Sequence, residues 1–126
     1  MTVRIIDSSI NINQKRDLLN KIGVDKYAAN YLISKMTYLY IYIENLKPAA
    51  ANILKQTMLS VGSDAAVNRG CINCSVEKSD CLIFGSIKQI QDAIEKLKIQ
   101  PFGLNKLALE IQKLLEEFKN DNFHSG

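Results

Sequence analysis

At 126 residues, with 47% hydrophobic and 23% charged side chains, the chain has the size and balance of one compact domain and excludes a disordered polymer. The 16 basic residues against 13 acidic ones leave a net charge of +3, too small an excess to single out nucleic acid or anionic lipid as a partner. The start Met1-Thr2-Val3-Arg4-Ile5-Ile6-Asp7 lacks the long apolar core of a signal peptide. No uncharged run approaches the roughly 18 residues needed to span a bilayer. The expectation is a cytoplasmic protein with no membrane partner, its Cys71, Cys74 and Cys81 reduced.

Val3, Ile5 and Ile6 fit a short first strand. Ile12 through Ile22 reads as an amphipathic helix with Leu18, Leu19 and Ile22 on one side, capped by Asn11 or Asn13 and closed by Gly23. Asp25 caps a second helix whose expected buried side is Tyr27, Ala28, Tyr31 and Leu32. The β-branched and aromatic run Thr37 to Ile43 predicts a strand with Leu39, Ile41 and Ile43 on one face and Tyr38, Tyr40 and Tyr42 on the other. Both faces are apolar enough to be covered, so this strand is expected inside a sheet with packing on each side. A stacking platform for bases or pterin is the competing reading of the tyrosines.

The segment Lys47 to Gly62 carries both helix-end signals. Pro48 suits a first helical position, where its missing N–H costs nothing, and Gly62 can take the left-handed conformation that closes a helix. Ala50, Ile53, Leu54, Thr57, Met58 and Val61 form an apolar stripe, and Asn52, Lys55 and Gln56 gather on the opposite side. A short strand at Asp64–Val67 completes a strand-helix-strand unit, which predicts a right-handed crossover and a parallel pair. Gly70 breaks the chain, and Cys71 to Cys74 is expected as an irregular strand. The next strand is Cys81 to Phe84, ended by Gly85.

Ser86 followed three residues later by Gln89 is a capping-box spacing, opening a helix with Ile87, Ile90, Ala93, Ile94 and Leu97 on its buried face. Pro101 stops it. A last helix begins near Leu104 or Asn105, with Leu104, Leu107, Ile111, Leu114, Leu115 and Phe118 facing inward. The fold class is therefore α/β (α+β): a small mixed sheet of about four to five strands packed with about five helices, containing one right-handed βαβ unit. Residues 1–119 form a single domain, and 120–126 read as a frayed end or the start of a linker.

The chemistry-bearing residues are few. Cys71-Ile72-Asn73-Cys74 opens no evident helix that would stabilise a thiolate, and Cys81 and the distant His124 are the remaining soft ligands, so structural cysteines are the simpler reading against a zinc or redox site. No Ser-His-acid set, no GxxxxGK[ST] loop and no GxGxxG after a strand is present, so no catalytic residue is assigned. Asp64, Asn68 and Arg69 sit at a strand end beside Gly70, where they could face a ligand and Arg69 a phosphate or carboxylate; a surface contact between Arg69 and an aspartate is the simpler expectation.

The run Pro48 to Gly70, opening Pro-Ala-Ala-Ala-Asn-Ile-Leu-Lys-Gln, resembles the amino-terminal domain ahead of the catalytic barrel in some bacterial dihydropteroate synthases. Leu82 to Gln89 and Lys96 to Leu104, with its Gln100-Pro101-Phe102-Gly103, resemble a downstream strand, glycine and Gln-Pro-Phe-Gly signature of the same domain. The blocks cover about half of the chain. The resemblance implies a non-catalytic accessory domain of an enzyme that joins a dihydropterin diphosphate to p-aminobenzoate in folate synthesis. In that family a TIM barrel performs the reaction, with a pterin- and Mg²⁺-binding loop that nothing here matches, and such a barrel takes about 250 residues. The segment itself is expected to hold no cofactor and to be inactive alone. Its expected partners are the pterin-binding barrel of the same protein, a second copy of itself, or both, met through Asn52, Lys55, Gln56, Asp64, Asn68 and Arg69. The competing readings are a small nucleotide- or nucleic-acid-binding module and a thiol or zinc protein built on Cys71, Cys74 and Cys81.

Overall fold

The computed structural model describes residues 1–123. In chain order these form α1 (Ile12–Ile22), α2 (Lys26–Met36), β1 (Tyr38–Leu46), α3 (Pro48–Ser60), β2 (Asp64–Val67), a 3₁₀ turn (Arg69–Cys71), β3 (Ser79–Ser86), α4 (Ile87–Leu97) and α5 (Leu104–Phe123). The α/β class stands. Among the described residues the sheet has three strands rather than four or five, in the order β1-β3-β2.

Local chemistry explains the helix ends. Asn11 and Gln14 form a reciprocal capping box at α1, and Ser86 and Gln89 form another at α4. Asp25 Oδ1 accepts from the Tyr27 and Ala28 amides at 2.9 and 3.1 Å. Gly23 and Gly62 close α1 and α3 at φ of 93° and 86°. The stripe of α4 is buried at all five expected positions, Ile87, Ile90, Ala93, Ile94 and Leu97.

Elsewhere the burial differs from expectation. On α1 the buried residues are Ile12, Lys15 and Leu19, while Ile22 is exposed. On α2 they are Ala29 and Ile33, and Tyr27 and Tyr31 face outward, because the face that meets the core is displaced by one residue from the face carrying the larger side chains. On α5 Leu104, Ala108, Ile111 and Leu115 are buried and Leu114 is exposed. The helix runs through Asp121, Asn122 and Phe123, and the remainder of the expected tail lies outside the described residues.

The sheet departs most from expectation. Val3, Ile5 and Ile6 make no strand and are exposed, since an apolar alternation forms a strand only where a neighbour offers backbone partners. The crossover through α3 does link two strands of the same direction, but they do not pair. β3 runs antiparallel between β1 and β2, so the expected parallel pair is split by the most buried strand. The Cys71–Cys74 segment is a 3₁₀ turn continued by tight turns, with Cys74 at φ 54°, rather than a strand.

The main core lies between one face of the sheet and α3, α4 and α5. Ile43, Cys81, Ile83 and Ala65 point into it from the strands, and Leu54, Met58, Ile90, Leu97, Leu104 and Ile111 from the helices. A smaller cluster of Ile12, Leu19, Ala29 and Ile33 joins α1 to α2. Phe123, at the end of α5, packs against both.

Candidate functional site

Of the six residues expected to form a contact surface, four make hydrogen bonds within the fold. Asn52 Nδ2 donates to the buried Cys71 carbonyl at 2.8 Å, tying α3 to the 3₁₀ turn. Lys55 Nζ donates to Asp64 Oδ1 at 2.8 Å and to the Ala65 carbonyl at 2.9 Å, tying the same helix to β2. The Lys55 hydrogen bond, followed by the Ala65 amide, holds the Asp64 carboxyl below its usual range. Asn68 Oδ1 accepts from the Gly70 amide at 2.8 Å, and its own N–H donates to Ser79 Oγ at 3.0 Å. These four hold the fold together. Arg69 is exposed, and Asp64, the nearest acid in sequence, is taken by Lys55 rather than by Arg69. Gln56 remains on the surface.

Gln56 borders an open groove of about 420 Å³ between α3 and the end of α4, walled also by Asn52, Lys96, Ile99 and Gln100. Beside it, Phe102 stands at φ 61° and 60% exposed. A bulky aromatic in the left-handed region is strained, and Gly103 at φ 80° continues the same turn.

The more extensive feature is the second face of the sheet. β1 is an edge strand, and the register sets Tyr40 opposite Phe84, Tyr42 opposite Leu82 and Ala66 opposite Leu82 on its other side. Period-2 alternation therefore gathers Tyr38, Tyr40, Tyr42, Leu82, Phe84 and Ala66 on the face turned away from the helices. The three tyrosines are 58%, 73% and 62% exposed, so the expectation of packing on each side of this strand is overturned. Among the described residues, α3, α4 and α5 pack on the opposite face. The Tyr40 and Phe84 rings lie 6.4 Å apart, inclined at 45°.

This face is held in shape by Asp80. Its carboxylate accepts from the Tyr42 hydroxyl at 2.6 Å and from the Asn45 amide at 3.1 Å, fixing the irregularity that shifts the β1–β3 register between Ile43 and Leu46. The Tyr42 bond and the Asn45 amide hold the Asp80 carboxyl below its usual range, and the same bond pushes the Tyr42 hydroxyl up. Along the outer edge of β1, Leu39 to Tyr42 line a groove of about 320 Å³ with Leu114, Leu115 and Phe118 of α5.

Cys71 and Cys81 are buried and Cys74 is exposed, all as free thiols. Burial raises the Cys81 thiol to about 11, with neighbouring Cys71 adding to the effect. No three His, Cys, Asp or Glu side chains are gathered to hold a metal among the described residues. His124 lies outside the described residues. No helix among them is long and apolar enough to cross a membrane. The openness of the tyrosine face was not readable from the sequence, because alternation shows that a strand has two faces and not whether a second layer covers each.

No protein-family model matches the chain, and no solved structure does. A match does exist to the bifunctional dihydropteroate synthase/dihydropteroate reductase of Helicobacter pylori, at 35% identity over 112 residues. These residues make up 89% of this chain and 30% of that protein. The chain is thus similar to part of that protein and spans about 30% of its length.

Proposed function

We propose that the chain serves the folate pathway as a non-catalytic accessory module, docking through the open tyrosine face onto a pterin-binding barrel or onto a second copy of itself. The observation that supports this reading is the uncovered sheet face, where Tyr38, Tyr40 and Tyr42 project beside Leu82 and Phe84. Tyrosine and phenylalanine provide large contact areas with few rotatable bonds, which is why such residues dominate the centres of protein interfaces. The greater part of the H. pylori relative lies outside the match, leaving ample chain for a catalytic portion. The polar side of α3 suits docking less well, since Asn52 and Lys55 are already committed within the fold.

The test is sedimentation of the protein alone and mixed with the pterin-binding barrel of the same organism. Association in either case, weakened by Tyr40→Ser and Phe84→Ser while the circular dichroism is unchanged, supports docking. A wild-type protein that stays monomeric and ignores the barrel removes it.

The same face favours a second reading. The relative's name carries a reductase as well as a synthase activity, and exposed tyrosine rings can stack a planar pterin. In that case the chain takes part in reducing dihydropteroate, the electrons coming from a separate two-electron donor. Donor oxidation that depends on dihydropteroate and is lost in Tyr40→Ser selects this reading; its absence from the wild-type protein discards it.

A further inference from the structure

The helical pattern of α1 turns a lysine toward the interior. Lys15 is only 7% exposed, and desolvation disfavours its charged form. An ammonium has three N–H donors, yet among the described residues it meets one acceptor, the neutral Thr37 Oγ1 at 3.1 Å. That hydroxyl is held in place by donating to the Ile33 carbonyl at 2.9 Å. The ion pairs of the described residues join Lys55 to Asp64, Lys88 to Asp92 and Lys98 to Glu95, and Lys15 belongs to none of them. A buried charge without a counter-charge is costly, and proteins as a rule pair it.

Lys15 does not face solid core. With Thr37 it lines a cavity of about 340 Å³ bordered by Ile12, Asn13, Phe118 and Asn122. Ile12 and Asn13 are the first residues of α1, an 11-residue helix whose first turn carries no acidic side chain. The capping box uses the amides of Asn11 and Gln14, so the Ile12 and Asn13 N–H groups are left without helical partners. A buried lysine and the first residues of a helix thus border one cavity, an arrangement complementary to negative charge.

We propose that this cavity binds the oxyanion group of a small molecule, a carboxylate or a phosphate, with Lys15 as its counter-charge and the start of α1 supplying further donors. The inference stands apart from the docking reading, because the cavity and the tyrosine face are formed by different side chains.

The experiment is titration of the full chain with inorganic phosphate and, separately, with p-aminobenzoate, against sodium chloride at matched ionic strength. Binding is followed by calorimetry and by amide chemical shifts. Saturable binding of either anion, with the largest shifts at Ile12, Asn13, Lys15 and Thr37, is expected. A response to phosphate alone assigns a phosphate ligand, and a response to p-aminobenzoate alone assigns a carboxylate; a response to both fits the shared chemistry. Lys15→Met should weaken binding at least tenfold and, having lost an uncompensated charge, should melt no lower than the wild type in chloride. Absence of saturable binding by the wild type, shifts centred elsewhere, or undiminished affinity in Lys15→Met each overturns the proposal. Should Lys15→Met fail to fold, the wild-type titration and its shift map still decide.

Discussion

Lys55 on α3 and Asp64 at the start of β2 meet at 2.8 Å, and the same ammonium reaches the Ala65 carbonyl at 2.9 Å. A helix and the strand that follows it are thereby pinned across the turn at Gly62. Both side chains are more than a third exposed, so solvent screens the pair and its contribution is small. Its sign with pH is definite. Asp64 has a depressed folded-state pKa, so its contribution is present above the ordinary carboxylate range and is lost as pH falls through the depressed value. Urea denaturation at a series of acidic pH values should show Asp64→Asn with a shallower acid loss than the wild type. Parallel curves would refute the assignment.

Asn52 makes the larger structural contribution. Its amide donates at 2.8 Å to the carbonyl of Cys71, a residue that is 0% exposed; that carbonyl also accepts from the Cys74 N–H at 3.3 Å, so losing the shorter bond costs about 0.5–1.5 kcal/mol. Asn52→Ala should therefore lower unfolding free energy by that order. Stability equal to the wild type would show that water replaces the amide.

Gly70 occupies a place with no room for a side chain. A Cβ there would stand 2.6 Å from Ser75 Oγ and 2.8 Å from Val76 Cγ1. Gly70→Ala should be destabilised by about 1–3 kcal/mol, the usual cost of overpacking. Ser75→Gly in the same chain removes the nearest clash and should recover part of the loss. A thermal melt of the single variant that matches the wild type would contradict this account.

The cysteines should divide by exposure. At mildly alkaline pH, iodoacetamide should label Cys74 in the native protein and reach Cys71 and Cys81 only after unfolding. Burial lifts Cys81 from its ordinary 9.0 to about 11, so the folded state holds this proton more tightly than the unfolded chain. Stability is then intact below pH 9 and declines as pH rises toward 11, by roughly 2–3 kcal/mol if the full shift is realised. Rapid native labelling of Cys81, mapped by peptide mass, would disprove its burial.

The ends of the helices and the inward face of α4 were determined by the sequence itself. Asn11, Asp25, Pro48, Gly62 and the Ser86–Gln89 box act on backbone groups within a few residues of themselves, so no distant contact is needed to read them. The sheet was decided only in three dimensions. That β3 lies between β1 and β2, that Val3 to Ile6 pairs with no strand, and that the tyrosines of β1 stay uncovered all depend on competition among segments far apart in the chain. The same holds for the polar residues. Asn52 and Lys55 lie on the polar side of α3 in the sequence, but the 3₁₀ turn and β2 fold against that side and take up their hydrogen bonds. Lys15 shows the converse: a charged residue in a polar stretch is drawn inward because α1 turns that position toward Thr37, a contact that local propensity does not encode.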